Sequence, residues 1–285
     1  MRISVVVPFR NEERHLGHCL TALTTQQLFG GEVEIVAVSS ESSDSSREIA
    51  ACFPTVRLVA AQGPGPYAAR NTGVAATSGE VVAFTDGDCE PAPDWLRCIA
   101  IALADAEIAL VVGPRLAARG SFVLSLVNAY ERAKDEYVFG GERRDLYYGS
   151  GTNLAVRRET LEEVGGFVER RRGSDTLLIR TIVERRSPAV VRYDPQLRVR
   201  HLEIAGLRDY YGKCLRYGRS MAALRGPGRS LRSSERFTVW RRAVNSEGYS
   251  SPLAALQLVT LGGGAICWAL GSASARLAPN GRQRT

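Results

Sequence analysis

The chain has 285 residues, of which 45% are hydrophobic and 24% charged, a balance that fits one large α/β domain with a C-terminal appendage and excludes a disordered chain. Its net charge of +7 sits in the last third: residues 201–285 hold thirteen Lys/Arg against four Asp/Glu, +9, which leaves residues 1–200 at −2. Aromatic residues do not interleave with these basic positions in a nucleic-acid-binding pattern, so the excess points to anionic lipid or phosphate and away from nucleic acid. The six cysteines form no CxxC pair and no His-spaced set, which argues for a reduced compartment and against a zinc site.

In chain order, Ile3–Val7 reads as a strand, and Pro8-Phe9-Arg10-Asn11-Glu12 ends it and opens a helix in which Leu16, Leu20 and Leu23 recur to about Thr25. A signal peptide needs an unbroken apolar core where Pro8 and Asn11-Glu12-Glu13 stand, so the catalytic part is expected in the cytoplasm. Glu32–Val38 is a second strand, and Asp44-Ser45-Ser46 is suited to cap a helix running to Cys52. Val56–Ala60 is a third strand. Gly63-Pro64-Gly65-Pro66 must be irregular, with Pro66 starting the helix of Tyr67, Arg70 and Asn71. Val81–Thr85 then reads as a buried strand that runs into Asp86-Gly87-Asp88.

This alternation of strand and helix implies a mostly parallel sheet covered on both faces, whose ligands lie beyond the C-terminal strand ends. Three polar clusters occupy such ends, Pro8–Glu12, Ser39–Asp44 and Asp86–Asp88, and are expected to converge. No GxGxxG follows the first strand, which removes the support for a dinucleotide-binding dehydrogenase. Asp86 and Asp88, one residue apart across a glycine, suit a hard divalent cation carrying phosphates; a plain polar turn is the alternative.

Further on, Pro93–Ala106 reads as a helix, Ile108–Val112 as a strand, and Phe122–Val138 as an amphipathic helix. A glycine-rich loop from Tyr147 passes into a short strand by Arg158, followed by helices at Glu159–Val164 and Thr176–Glu184. Val190–Tyr193 and Leu197–Arg200 read as edge strands that deliver His201 to a strand end. The remainder is helical: Gly206–Leu224, Ser233–Val244 and Pro252–Leu270. Leu253–Ser274 carries no charge and is long enough to cross a bilayer core, or it packs on the basic face of the domain. Arg276, Arg282 and Arg284 beyond it would keep the terminus cytoplasmic, at the inner face of the membrane. A catalytic domain over 1–205 and a basic helical region over 206–285 are therefore expected.

Taken together, these clusters resemble the family 2 glycosyltransferases from Arg2 to about Arg219. Val5–Glu12 is similar to that family's opening strand and PxxNE segment, and Glu34–Asp44 to its EIIVVDDGSTD. Ala69–Gly73 resembles its ARNxG, Phe84–Asp88 its DxD, Gly149–Arg158 its glycine-rich segment, and Asp175-Thr176-Leu177 its EDxxL region. The resemblance implies the GT-A fold, a Rossmann-like sheet with a helical C-terminal extension, and an inverting transfer of a hexosyl-type sugar from a nucleotide-diphosphate donor. It implies a nucleotide-sugar site of Pro8, Phe9, Asn11, Glu12, Ser39, Arg70, Asp86 and Gly87. Pro8, Asn11 and Glu12 would face base and ribose, Arg70 the nucleotide or diphosphate, and Asp86 the ribose and metal.

In the same resemblance, Asp88 would ligate Mn²⁺ or Mg²⁺, which neutralises charge on the leaving diphosphate. His201 matches a histidine that many GT-A enzymes place at the metal or diphosphate; a structural hydrogen bond is the alternative, and an imidazole ligand would favour Mn²⁺. Asp175 is the expected general base, against an N-cap or first-turn acid. For Arg70 the alternative is a surface ion pair. Two positions depart from the pattern. Ser39-Ser40 replace the aspartate that usually contacts the base, leaving the nucleobase open, and Ser174-Asp175 leave one carboxylate as candidate base. The basic tail and apolar stretch suggest a lipid-linked or cell-envelope glycan acceptor. A sugar-phosphate nucleotidyltransferase would need a glycine-rich basic loop where Pro8–Glu12 stand, and a non-catalytic nucleotide-sugar or glycan-binding relative is the third reading.

Overall fold

The computed structural model describes residues 1–27, 30–118, 121–141, 144–170, 172–221 and 231–277. Arg282, Arg284 and the last turn of the helix expected to reach Leu224 lie outside them. The chain divides into two compact units, Met1–Leu116 with Asp135–Leu202, and Ala117–Lys134 with Glu203–Thr285. The second unit thus takes a segment from the middle of the chain as well as the C-terminal part.

The first unit is built on four parallel strands, β1 (Arg2–Phe9), β2 (Glu32–Ser39), β3 (Val56–Ala60) and β4 (Val81–Phe84). The sheet continues through β8 (Leu154–Arg157), β6 (Leu110–Val112) and β9 (Val191–Tyr193), in the order β3-β2-β1-β4-β8-β6-β9. Among these seven only β8 runs against its neighbours, antiparallel to both β4 and β6. The apolar runs explain the burial. Val5 and Val7 join Leu16 and Leu20 of α1 (Leu16–Thr24) and Trp95 and Ile99 of α4 (Trp95–Ala102) in one core cluster. Val6 faces the other way, toward α3 (Pro66–Ala75), where any side chain at Gly73 would collide with it. Both faces are therefore covered, as continuous Val/Ile runs require.

Strand β1 extends through Pro8, past the expected end at Val7. Pairing with β4 stops at Val6–Phe84, and on that side the Pro8 carbonyl accepts from the Gly87 N–H at 3.3 Å, so the missing proline N–H leaves no ladder bond unmade. A second difference concerns β10 (Val199–His201), expected as an edge strand. It is the middle strand of a three-stranded sheet, between β5 (Cys89–Pro91) and β7 (Arg115–Ala117). Strand β5 is too short, and too close to the Asp-Gly-Asp turn, to read as a strand from its own residues.

In the second unit, α8 (Leu207–Met221) packs along α10 (Ser251–Leu277) through small residues. Gly263 and Gly264 receive the hydroxyl ends of Tyr211 and Tyr210, and Gly218 lies against the Trp268 carbonyl. Ser272 Oγ donates to the Gly218 carbonyl at 3.1 Å, and Gln257 Nε2 donates to the Leu126 carbonyl of α5 (Phe122–Phe139) at 2.8 Å. The large side chains Leu258, Val259, Ile266 and Leu270 point outward, with Val259 71% exposed. Ser251–Ala275 is long and apolar enough to cross a membrane by length and composition, at a mean hydropathy of 1.7.

Candidate active site

The three polar clusters meet at one edge of the sheet, because β1, β2 and β4 end side by side. Ser40 N–H donates to the Phe9 carbonyl at 2.9 Å. Asn11, in the left-handed region at φ 55, accepts the Ser43 N–H on its Oδ1 at 2.8 Å, a local bond that suits asparagine there. The Glu12 N–H donates to Ser46 Oγ at 2.7 Å and the Glu13 N–H to Asp44 Oδ2 at 3.1 Å. Asp44 also accepts the Ser46 N–H at 3.1 Å, so it, and not Ser45, serves the start of helix α2 (Ser46–Ala51). Ser39 is 2% exposed, and its Oγ has no hydrogen-bond partner among the described residues. Gly87 is required by space: a Cβ there would stand 2.9 Å from Phe9 Cβ.

Asp86 belongs to a half-buried charge cluster. Its Oδ1 accepts from Arg70 Nη2, and its Oδ2 from Thr152 Oγ1 at 3.0 Å. Arg70 is 4% exposed, its guanidinium carbon 5.4 Å from the ring centre of Tyr67 and 5.9 Å from that of Phe167, two rings that stack on each other. The arginine of this ion pair is buried and Asp86 is half-buried, which is not the surface pair weighed from sequence. Burial alone would lower its pKa, but the carboxylates of Asp86 and Asp175 outweigh that and raise it. A Cβ at Gly151 would collide with the Arg70 guanidinium, so the loop can close over the arginine only with glycine there.

Asp175 joins the same cluster from helix α7 (Ser174–Arg185). Its Oδ2 accepts the Gly151 N–H at 3.0 Å; its Oδ1 accepts Tyr67 Oη at 3.2 Å and the Thr176 N–H at 2.9 Å. The N-cap residue is Gly173, at φ 82, and its N–H donates to Tyr67 Oη at 2.9 Å. Asp175 therefore has a first-turn bond and two further donors from α3 and the glycine-rich loop. Burial, with the Asp175 charge beside it, holds the Tyr67 hydroxyl above its usual pKa and keeps it a donor.

On the other side of Gly87, Asp88 is 9% exposed and His201 8%. His201 Nδ1 lies 3.4 Å from Asp88 Oδ2, and Cys89 Sγ donates to Asp88 Oδ1 at 3.1 Å. Burial, then the Asp88 charge, pushes the Cys89 thiol well above its ordinary pKa. Asp88, Cys89 and His201 each offer a ligand atom, all within 4.8 Å of one another. A carboxylate and an imidazole at this spacing fit a transition-series divalent cation such as Mn²⁺.

Sequence reasoning singled out neither Thr152 nor Tyr67 as a site residue, although both stand in segments it marked. It also missed Asn153, a buried clasp. Asn153 accepts Trp95 Nε1 at 2.8 Å and donates to the carbonyls of Pro114 at 2.9 Å and Leu197 at 2.7 Å.

The family model described as glycosyl transferase family 2 matches residues 4–165, more than half of the chain. The chain belongs to glycosyltransferase family 2. Among curated members, glycosyltransferase AglE of Haloferax volcanii is 36% identical over 173 residues, which is 58% of this chain and 55% of that protein. The chain spans about half the length of the curated relatives it matches. A mannosyltransferase from Pyrobaculum calidifontis, in complex with GDP-Man and Mn²⁺, is similar over 98% of this chain and 81% of that one, at TM-score 0.58 and 22% identity. Glucosyl-3-phosphoglycerate synthase from Mycobacterium tuberculosis, in complex with Mn²⁺, UDP-Glc and phosphoglyceric acid, covers 69% of this chain and 70% of that one, at TM-score 0.50 and 23% identity. The likeness is one of fold. This family 2 chain has the GT-A arrangement, a mostly parallel sheet with helices on both faces and a helical C-terminal part.

Proposed function

We propose that this chain is an inverting glycosyltransferase that moves a sugar from a nucleotide-diphosphate donor to an acceptor hydroxyl. One observation carries the reading: Asp86, at the tip of β4, and Asp175, on α7, are drawn into a single cluster by Arg70 and the Gly149–Thr152 loop. Pro8, Phe9, Asn11, Glu12 and Ser39 form the donor's base and ribose side, with the Ser39 hydroxyl buried beneath it. Asp86 and Gly87 meet the ribose and diphosphate, and Arg70 fixes Asp86 from behind. Asp88 and His201 would hold Mn²⁺, which when bound neutralises charge on the leaving diphosphate.

Asp175 takes the proton of the acceptor hydroxyl as its oxygen attacks the anomeric carbon from the face opposite the diphosphate. The bond to the diphosphate breaks and its electron pair leaves with the diphosphate. The Gly151 N–H and the Tyr67 hydroxyl orient the carboxylate for this transfer. Asp175→Asn is expected to keep donor affinity, measured by calorimetry, and to lose single-turnover transfer; transfer at the unaltered rate would place the base elsewhere.

The second unit suggests where the acceptor is met. Its exposed arginines, among them Arg208, Arg219, Arg236 and Arg241, accompany a helix whose outward residues are Leu258, Val259, Ile266 and Leu270. We infer association with an anionic membrane surface on the cytoplasmic side and a lipid-linked or cell-envelope glycan acceptor. Co-sedimentation with phosphatidylglycerol vesicles, lost in Ile266→Asp and absent with neutral vesicles, is the expected result.

A further inference from the structure

The geometry points to Cys89 as a third protein donor to the cation of this site, which makes the site selective for a borderline or soft divalent cation such as Zn²⁺ or Co²⁺ over Mg²⁺. This rests on the reading that Asp88 and His201 hold a cation.

Cys89 and His201 are register partners in the antiparallel pair of β5 and β10. Residues directly opposite in such a pair project from the same face, with Cβ atoms about 4.5–5.5 Å apart. Asp88 precedes Cys89 and turns both oxygens to the same place: Oδ1 accepts from Cys89 Sγ at 3.1 Å, and Oδ2 lies 3.4 Å from His201 Nδ1. The three ligand atoms fall within 4.8 Å of one another. Ligand bonds of about 2.0–2.3 Å put neighbouring donors of a tetrahedral cation about 3.5 Å apart, so small side-chain adjustments close the set.

The chemistry of the donors sets the preference. Mg²⁺ requires a near-octahedral shell of oxygens and gains little from sulfur or imidazole, whereas thiolate and imidazole suit Zn²⁺ and Co²⁺. On ligation the thiol proton passes to solvent and a sulfur lone pair goes to the cation. Cys19, the other thiol near this turn, donates to the Asp86 carbonyl at 3.4 Å and stands outside the three-donor cluster, so it serves as a control. Cys89 also packs in the apolar core. Packing alone predicts that serine there alters stability and no property of a bound metal.

The test is a Co²⁺ titration of the purified full-length chain, freed of metal. Visible d–d bands report that Co²⁺ binds, and a near-ultraviolet sulfur-to-cobalt charge-transfer band reports thiolate ligation. The expected result is a charge-transfer band in the wild-type chain, kept in Cys19→Ser and lost in Cys89→Ser, which retains visible bands. Competition should show Zn²⁺ affinity falling about 10- to 100-fold or more in Cys89→Ser, a loss at least that of removing an outer partner of a ligand, with Mg²⁺ affinity unchanged. Co²⁺ binding that Asp88→Ala abolishes but that lacks the charge-transfer band overturns the proposal, as does a band that survives Cys89→Ser. A wild-type chain with no Asp88-dependent Co²⁺ binding overturns the cation reading itself. Absence of the band from a wild-type chain that binds Co²⁺ overturns the proposal by itself, so a Cys89 variant that fails to fold still leaves it falsifiable.

Discussion

Asp86 and Asp88 leave the same strand on either side of one glycine, yet their surroundings differ in kind. Asp86 is held by a guanidinium and a hydroxyl, and through Arg70 and Gly151 it is tied to Asp175. Asp88 is beside a thiol and an imidazole brought by the small β5–β10 sheet. The first neighbourhood offers fixed hydrogen-bond geometry for an organic substrate, and the second offers ligand atoms. One turn thus separates two tasks by a single residue, and substitutions at the two carboxylates should fail in different ways.

The largest effect is expected from Asp88→Ala. Cation-dependent turnover should drop by more than about a thousandfold, the scale at which a lost partner of developing charge is felt, while the thermal midpoint without metal barely moves. Asp86→Ala should break the symmetry in the other direction. It leaves the buried Arg70 charge without its closest carboxylate, a loss of about 3–5 kcal/mol that a urea titration would read as a lower midpoint. If Asp86→Ala proved as stable as the parent chain, the distinction drawn between the two carboxylates would be wrong. Thr152→Val is the mildest probe. It removes one hydroxyl donor from Asp86 Oδ2, costs about 1 kcal/mol, and leaves the Co²⁺ spectrum of the Asp88 side unchanged.

Much of the first unit was legible because β1 to β4 are runs of Val, Ile and Ala that stop at polar clusters, so strand ends and candidate ligands coincide in the chain. The meeting of Asp175 with Asp86 was legible only through the family resemblance, since no local pattern joins residues that far apart. What stayed hidden depends on pairing at long range. Strand β10 reads as a strand from its own residues, but the three-residue β5 does not until it lies against β10, so the neighbourhood of Cys89 and His201 could not be read from cysteine spacing. For Arg70 the resemblance implies a contact with the nucleotide or diphosphate, with a surface ion pair as the alternative, and its burial is not foreseen because arginine is seldom buried; the aromatic pair and Gly151 that pack against it come from three separate segments. The inclusion of Ala117–Lys134 in the second unit likewise follows from packing, which hydrophobic periodicity alone does not encode.

The reversed direction of β8 carries one more consequence. Because Leu154 lies beside Phe84, the loop that precedes β8 arrives at the same rim as the loops that follow β1, β2 and β4. Lengthening or shortening the chain ahead of Gly149 would therefore reshape that rim while leaving the register of the four parallel strands alone. Under the proposed function, recognition of what receives the sugar would diversify through that inlet without disturbing the apparatus that grips what delivers it.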